Sequence, residues 1–174
     1  RILVTNENTK KVLNREDITE IVGIPIRKEF DGIHDKELHK SYYDFDNGKK
    51  VVLSFGGSGG QKSINEKVLD MIIKHYKDMD FNIFYVTGTY AYSWFKEELD
   101  KSGIDYTKNN IRVGEYLYDM PKALIDADMV ITSAGALTLN EVSCVAKPVI
   151  IIPKAYVVEN HQEYNARYFE DMGA

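Results

Sequence analysis

From residue 50 onward, short apolar segments alternate with segments of helical periodicity, and this alternation constrains the fold more than any other feature. The apolar segments are VVLSF (51–55), NIFYVTG (82–88), IRVGEY (111–116), DMVITS (128–133) and PVIIIP (148–153). Helical patterns follow them at 62–79, 91–102, 120–127, 137–146 and 159–172. Segments such as VVLSF and PVIIIP are apolar on both faces, which is typical of strands covered by helices on both sides. The pattern predicts an α/β fold with a Rossmann-like, doubly wound parallel sheet.

The part of the chain before residue 50 follows a different pattern. It contains one strand candidate, ILVT at 2–5, followed by charged segments, and the sequence predicts no second unit of strand and helix there. Because the chain opens on arginine directly before an apolar run, we expect residues 1–22 to be the remnant of a preceding domain. Residues 23–49 are expected to be an interdomain connection, and residues 50–174 a ligand-binding domain truncated at its carboxyl end.

Charge and cysteine content exclude several classes of function. The net charge is −5, and acidic and basic residues are interspersed, so no basic stripe is present to follow a nucleic-acid backbone. The single cysteine, Cys144, lies in an apolar helical stretch, which favours a small buried side chain over a nucleophile. No apolar run approaches the roughly 18 residues that cross a bilayer. We therefore expect a soluble protein of a reducing, intracellular compartment that does not bind nucleic acid.

Two loops of small residues follow predicted strands. The first is GGSGG at 56–60, after VVLSF, and the second is SAGA at 133–136, after MVIT. Their backbone N–H groups can approach an anion closely, and the helix behind each loop contributes further N–H donors and the positive end of its dipole. Since ligands of open parallel sheets bind at the carboxyl ends of the strands, two such loops facing one crevice would suit a diphosphate.

Known phosphate-binding motifs do not describe the first loop. A P-loop requires a glycine where this chain has Gln61, and no strand ends in a clear magnesium-binding aspartate. The Rossmann fingerprint fails as well, because Lys62 occupies the place of its last glycine. A plain strand-to-helix turn would explain one or two glycines by their freedom at positive φ, but not four of five residues.

Three polar side chains lie near the same predicted edge of the sheet. Glu141, in the second turn of the helix after the second loop, can accept protons of two ribose hydroxyls, although a solvated helical glutamate is the commoner case. Gln162 and Asn165 are three residues apart and share a helix face, where their amides can bind the hydroxyls of an uncharged sugar. The alternative is that Asn160 caps this helix and that the remaining amides form a wet face.

Several ordered motifs resemble a known family. FGGSGGQKSIN, GEYLYDMPKALIDADMVITSAGALTLNE, PVIIIP and HQEYNA, preceded by GIPIR at 23–27, are similar to the donor-binding half of the MurG family of bacterial glycosyltransferases, which belongs to family 28 and has the GT-B fold. The resemblance covers 23–174. It implies an inverting transfer of N-acetylglucosamine from UDP-N-acetylglucosamine to lipid I, which makes lipid II in peptidoglycan synthesis. The full-length protein would lie on the cytoplasmic face of the bacterial membrane.

The resemblance also implies which residues bind the donor. The diphosphate would be held by loop and helix amides with one arginine nearby: Arg27, Gly57, Ser58, Ala136, Leu137 and Thr138. The ribose hydroxyls would be bound by Glu141, and the uracil by the main chain of Tyr116 and Leu117. Gln162 and Asn165 would bind the N-acetylglucosamine.

The family pattern further implies that no metal and no cofactor take part. The catalytic base and the surface for the lipid acceptor would belong to the preceding domain, so we predict no catalytic residue in this chain and expect it to bind donor without turnover. Two motifs depart from the family pattern: Gly59 stands where a glutamine is usual, and the arginine expected beside Ala134 is absent.

Two alternative functions differ in what they require. A UDP-N-acetylglucosamine 2-epimerase would need catalytic carboxylates and a histidine near the glycine loop, and the loop here lacks them. A non-catalytic nucleotide-sugar-binding subunit would recruit a separate acceptor-binding partner, and the sequence of this chain leaves that alternative open.

Overall fold

The computed structural model describes residues 1–31, 42–45, 47–57, 59–108 and 110–173. The elements are β1 (Ile2–Val4), α1 (Glu7–Leu13), β2 (Thr19–Ile21), β3 (Val51–Phe55), α2 (Lys62–His75), β4 (Asn82–Val86), α3 (Tyr92–Lys101), β5 (Ile111–Gly114), α4 (Met120–Asp126), β6 (Met129–Thr132), α5 (Ala136–Cys144), β7 (Val149–Ile151) and α6 (His161–Asp171). The last five strands form one parallel sheet in the order β5-β4-β3-β6-β7. The predicted α/β architecture is therefore confirmed.

Each face of the sheet carries its own core. On one face, α2 and α3 pack against β4 and β5, with Ile72, Phe95 and Leu99 fully buried. Ile64, Val68 and Ile72, which are spaced four residues apart along α2, are buried on this side. On the other face, α4 and α5 pack against β3 and β6, where Leu53 and Val130 are fully buried. Helices on both faces explain why the strands are apolar throughout.

The amino-terminal residues form a unit of their own, which corrects the sequence prediction. β1 and β2 pair in parallel as a separate two-stranded sheet joined by α1, so a helix and a second strand are present where the sequence indicated a single strand. The sequence shows no helical apolar pattern for α1 because this helix buries none of its residues and therefore needs no apolar stripe. Local capping marks this helix instead: the Asn6 side chain accepts a hydrogen bond from Thr9 N at its start.

The connection between this unit and the large sheet packs on the large sheet. Phe30 and Tyr43 are buried in the core beside α4 and α5. The backbone N–H of Tyr42 donates to Asp126 Oδ2 at 2.8 Å, and the Tyr43 hydroxyl donates to the carbonyl oxygen of Ala123. The described connection is thus an integral part of the larger domain. No helix in the described part of the chain is both long and apolar enough to span a bilayer.

Candidate functional site: a crevice at the sheet's switch point

The order of the strands places a crevice between β3 and β6. From β3 the chain proceeds to β4 and β5 on one side and then returns to β6 on the other side of β3. Phe55 and Thr132, the last residues of β3 and β6, are partners in the parallel register. The loops that follow them therefore leave the sheet side by side, at the point where open α/β sheets bind their ligands.

The first glycine loop is pressed against the loop that follows β4. A β-carbon on Gly60 would lie 2.1 Å from the carbonyl oxygen of Thr87, and Gly60 has a φ of +73°. Gly60 N–H donates to the carbonyl oxygen of Gly57 at 3.0 Å, which closes a tight turn. Only glycine meets both the conformation and the close approach at this position. The path of the loop is thus set by backbone packing.

The two loops of small residues touch each other. A β-carbon on Gly57 would lie 3.5 Å from Ser133 Oγ. Behind the loops begin α2 and α5, and neither helix has a side chain that caps its amino terminus. The N–H groups of these first turns are not satisfied by a side-chain cap, so both helix ends can donate to an anion.

A cavity of about 420 Å³ opens at this crevice. Its lining comes from the connection, the ends of β3 and β4, the first glycine loop, the loop after β5 and the helices α4 and α5: Pro25, Ile26, Arg27, Phe55, Gly57, Val86, Tyr116, Leu117, Met120, Leu137, Thr138 and Glu141. Seven of the eleven predicted site residues are among them: Arg27, Gly57, Tyr116, Leu117, Leu137, Thr138 and Glu141. The other lining residues are apolar and carried no sequence signal of a ligand.

Three of the predicted residues lie elsewhere. Ala136 and Asn165 line a second cavity, of about 820 Å³, between α1 and the helices α5 and α6. Gln162 is buried beneath the second loop, where its Oε1 accepts hydrogen bonds from Ala134 N at 3.1 Å and from Lys154 N at 2.9 Å. Ser58 is outside the described residues.

Gln162 and Asn165 act together on the second loop. Asn165 Nδ2 donates to the carbonyl oxygen of Ala134 at 2.9 Å, while Gln162 accepts from the N–H of the same residue. Both polar groups of the fully buried Ala134 backbone are therefore satisfied by α6. Gln162 Oε1 and Asn165 Nδ2 thus hold the second loop. The acceptor atom of the Asn165 amide, Oδ1, takes no part in these two hydrogen bonds.

Glu141 is a buried carboxylate with a single described ion-pair partner. Its residue is 7% exposed, and its Oε1 lies 2.9 Å from Arg27 Nε, on the connection. Burial raises the pKa of Glu141, and the nearby guanidinium of Arg27 opposes that rise. Glu141 is therefore not a solvated helical glutamate, which is the commoner case for this residue type. A carboxylate held at a cavity wall can accept hydrogen bonds from paired hydroxyls.

Other polar residues near the crevice have different environments. Gln61 is buried, its Nε2 donates to Ser63 Oγ at 3.2 Å, and it does not line either cavity described above. Cys144 Sγ lies 3.2 Å from the carbonyl oxygen of Asn140, and burial raises the pKa of its thiol. Asn160 precedes α6 in a left-handed conformation and makes no side-chain cap. Within the described ranges, no three His, Cys, Asp or Glu side chains are grouped as metal ligands.

The chain is similar to known glycosyltransferases. Two relatives, from Alkaliphilus metalliredigens and Finegoldia magna, are 40% and 39% identical over all of this chain, and each is named a UDP-N-acetylglucosamine–N-acetylmuramyl-(pentapeptide) pyrophosphoryl-undecaprenol N-acetylglucosamine transferase. This chain spans 46% of the length of each.

Comparison of structures gives the same fold. The crystal structure of MurG from Acinetobacter baumannii aligns with 98% of this chain and 49% of its own chain, with a TM-score of 0.66 and 23% identity. Residues 51–174 match the model of the glycosyltransferase family 28 C-terminal domain. That match begins at β3 and contains the whole five-stranded sheet with both glycine loops, so this chain belongs to the glycosyltransferase family 28 C-terminal domain family.

Proposed function

We propose that this chain is the donor-binding half of an inverting hexosyltransferase that moves N-acetylglucosamine from UDP-N-acetylglucosamine to lipid I. The observation that carries the proposal is the cavity at the switch point, where Gly57, the first turn of α5 and the buried carboxylate of Glu141 line one space. The names of the relatives support the substrate class, since those proteins are named as N-acetylglucosamine transferases acting on a pyrophosphoryl-undecaprenol acceptor.

In the proposed complex the diphosphate lies across the two glycine loops. Gly57, Leu137 and Thr138 line the cavity, so their N–H groups would be the donors to the diphosphate, and the α5 dipole adds positive potential. During transfer, the acceptor oxygen bonds to the anomeric carbon while the bond from that carbon to the diphosphate oxygen breaks. The charge that develops on the diphosphate would be stabilised by these fixed donors, which need no rearrangement at the moment of reaction.

The nucleoside would lie along the wall formed by α5 and the loop after β5. The ribose hydroxyls would donate to Glu141, and the uracil would lie against the main chain of Tyr116 and Leu117. The apolar side chains of Phe55 and Met120 line the same cavity and exclude water from this end. Few polar groups set in a mainly apolar lining are typical of small-ligand sites.

The sugar and the acceptor would occupy the side of the site that faces the amino-terminal unit. Asn165 and Ala136 line the cavity on that side, so we place the N-acetylglucosamine at its border with the crevice. The base that takes the proton of the acceptor hydroxyl would come from a preceding domain, on the cytoplasmic face of the membrane. We retain residues 1–22 as the end of that domain and 50–174 as the donor domain.

Ligand binding tests the proposal directly. Calorimetric titration of the chain with UDP-N-acetylglucosamine, UDP, GDP and ATP should give binding with the two uridine nucleotides and much weaker binding with the purine nucleotides. Equal affinity for all four ligands, or none for the uridine pair, would refute the proposal.

A substitution at Glu141 tests the ribose contact. Glu141→Ala removes the acceptor of both hydroxyls and should weaken UDP binding by about 1–3 kcal/mol. The matched control is Glu163→Ala, because Glu163 is a helical glutamate that also pairs with an arginine, Arg167, but lies on the surface of α6. Equal UDP affinity in Glu141→Ala and wild type would exclude the assigned role.

A further inference from the structure

Lys154 reaches the first glycine loop from a third loop at the same edge of the sheet. Ile151, the last residue of β7, pairs with Thr132 of β6, which in turn pairs with Phe55 of β3. The loops after these three strands therefore leave the sheet in one row. Lys154 follows β7 by three residues, and its Nζ lies 3.4 Å from the carbonyl oxygen of Gly60 in the first loop.

The backbone of Lys154 is fixed to the second glycine loop. Its N–H donates to Gln162 Oε1, the same oxygen that accepts a hydrogen bond from Ala134 N. One buried side chain thus joins the backbone of Lys154 to the loop after β6. The lysine is held between the two loops by contacts at both its main chain and its ammonium group.

The charge of Lys154 is not neutralised by a described carboxylate. Arg27, the other cation at the crevice, is paired with Glu141, and Lys62, at the start of α2, lies 3.7 Å from Glu66. No such pair involves Lys154 in the ranges that the structure describes. A neutral carbonyl oxygen at 3.4 Å uses one of the three N–H donors of an ammonium group, which leaves two for an anion.

We propose that Lys154 binds the diphosphate of the nucleotide and supplies the positive charge that stabilises it as the leaving group. The inference rests on the proposed function, because it assigns a residue to the diphosphate that the two glycine loops would hold. Loop amides contribute dipoles, whereas Lys154 contributes a full charge, and a charge-assisted hydrogen bond is about twice as strong as a neutral one. Lys154 would contact the diphosphate and not the nucleoside.

Three substitutions separate charge from bracing of the loop. Lys154→Met removes both the charge and the hydrogen bond to Gly60, Lys154→Gln keeps a donor without charge, and Lys154→Arg keeps the charge. UDP affinity is measured by calorimetry at low salt and uridine affinity by NMR titration. Both neutral variants should weaken UDP binding about tenfold and leave uridine binding unchanged, and Lys154→Arg should stay within about threefold of wild type.

Lys49→Met is the matched control. Lys49 Nζ also donates to a backbone carbonyl oxygen, that of Met79 at 2.9 Å, but Lys49 lies two residues before β3, at the amino end of that strand and away from the glycine loops. It should bind UDP as wild type does. This inference alone would be overturned if wild type binds UDP and both neutral variants bind it equally well. It would also be overturned if the neutral variants lost UDP and uridine affinity to the same extent. Failure of wild type to bind UDP would overturn the proposed function, and the inference with it.

Discussion

At the scale of single residues, the environment of Glu141 determines how donor binding should respond to pH. Burial raises the pKa of this carboxyl group, and Arg27 opposes the rise from a distance of 2.9 Å. Glu141 also interacts electrostatically with Cys144, whose own pKa is raised by burial and by this carboxylate. The ionised carboxylate is the form that accepts from two hydroxyls, so a raised pKa moves the loss of this form to a higher pH.

We therefore predict that affinity for UDP-N-acetylglucosamine falls as the pH drops through the pKa of Glu141, which is raised above the ordinary value of a glutamate. Arg27→Met removes the positive charge that lowers the pKa of Glu141, so the midpoint of the fall in affinity should move to higher pH. Calorimetric titrations with UDP-N-acetylglucosamine between pH 8 and pH 4.5 measure both midpoints, because its esterified diphosphate carries no proton that titrates in this range, unlike the terminal phosphate of UDP. In Glu141→Gln the affinity should not change over this pH interval. The same fall in affinity in this variant as in wild type would assign the pH dependence to another group.

Gly60 should be irreplaceable for steric reasons. Gly60→Ala would place a β-carbon 2.1 Å from the Thr87 carbonyl oxygen at a φ of +73°. The clash and the left-handed backbone together should lower the free energy of unfolding by about 3 kcal/mol or more. Chemical denaturation measures this change.

The control for this prediction is Gly103→Ala. Gly103 has a similar φ of +68°, but a β-carbon there would meet no atom within 4 Å. Gly103→Ala should therefore lower the free energy of unfolding only by the cost of the left-handed backbone conformation, about 1 kcal/mol. Equal costs at the two positions would show that close packing of the first loop contributes nothing.

The residues of the site differ in how far the sequence could predict them. The resemblance to family 28 indicated Glu141, and the structure places this residue at the cavity. Its pairing with Arg27 is not readable from the sequence, because the two are brought together only when the connection folds onto α5. Lys154 carried no motif at all. Its approach to Gly60 depends on the order of three strands, which the sequence does not specify.

At the scale of elements, the alternation of strands and helices in a parallel sheet was predictable, and the order of the strands was not. Each buried strand from β3 to β7 shows as an apolar run because helices cover the sheet. Units on the two sides of β3 look alike in sequence, however, so nothing in the pattern places β6 beside β3. All five predicted helices also end earlier than expected, two of them by two residues or more, since α2 stops at His75 and α5 at Cys144. Helix ends depend on local turns more than on apolar periodicity.

Helix α6 holds the second glycine loop through one amide, and this contact predicts a local effect of mutation. Gln162→Ala would leave two backbone donors without their acceptor: Ala134 N, which is buried, and Lys154 N, which is partly buried. The expected loss of stability is about 1–3 kcal/mol for the buried Ala134 N–H, with a smaller loss for the Lys154 N–H. Amide hydrogen exchange should also become faster at Ala134 and Lys154. Gln162→Glu keeps the acceptor oxygens and should retain more of the protection than Gln162→Ala.

Tyr164→Ala, on the exposed side of the same helix, serves as the control for Gln162→Ala. Tyr164 is 71% exposed, so its removal should change stability by no more than about 0.5 kcal/mol. If the Ala134 amide hydrogen exchanges at the same rate in the two variants, the side-chain amide of Gln162 does not hold the loop.

At the scale of the whole molecule, the two sheets are held together weakly. In the ranges that the structure describes, no hydrogen bond or ion pair joins residues 1–22 to residues 42–173. A cavity of about 820 Å³ separates α1 from α6. The contacts that tie the amino-terminal part to the large sheet lie in the connection, at Arg27 and Phe30. This distribution supports the boundary that we propose after residue 22.

Two truncations follow from this distribution of contacts. Removing residues 1–22 should leave the midpoint of thermal unfolding nearly unchanged, because a short helix without buried residues and a two-stranded sheet contribute little to the large core. Removing residues 1–31 also deletes Phe30, which is 4% exposed in the core, and should cost about 3–5 kcal/mol. It deletes the partner of Glu141 as well, so UDP affinity should change in the longer truncation only. Calorimetric melting and UDP titration of both truncations test the boundary; a large loss of stability already in the shorter one would place residues 1–22 within the same cooperative unit as the donor domain.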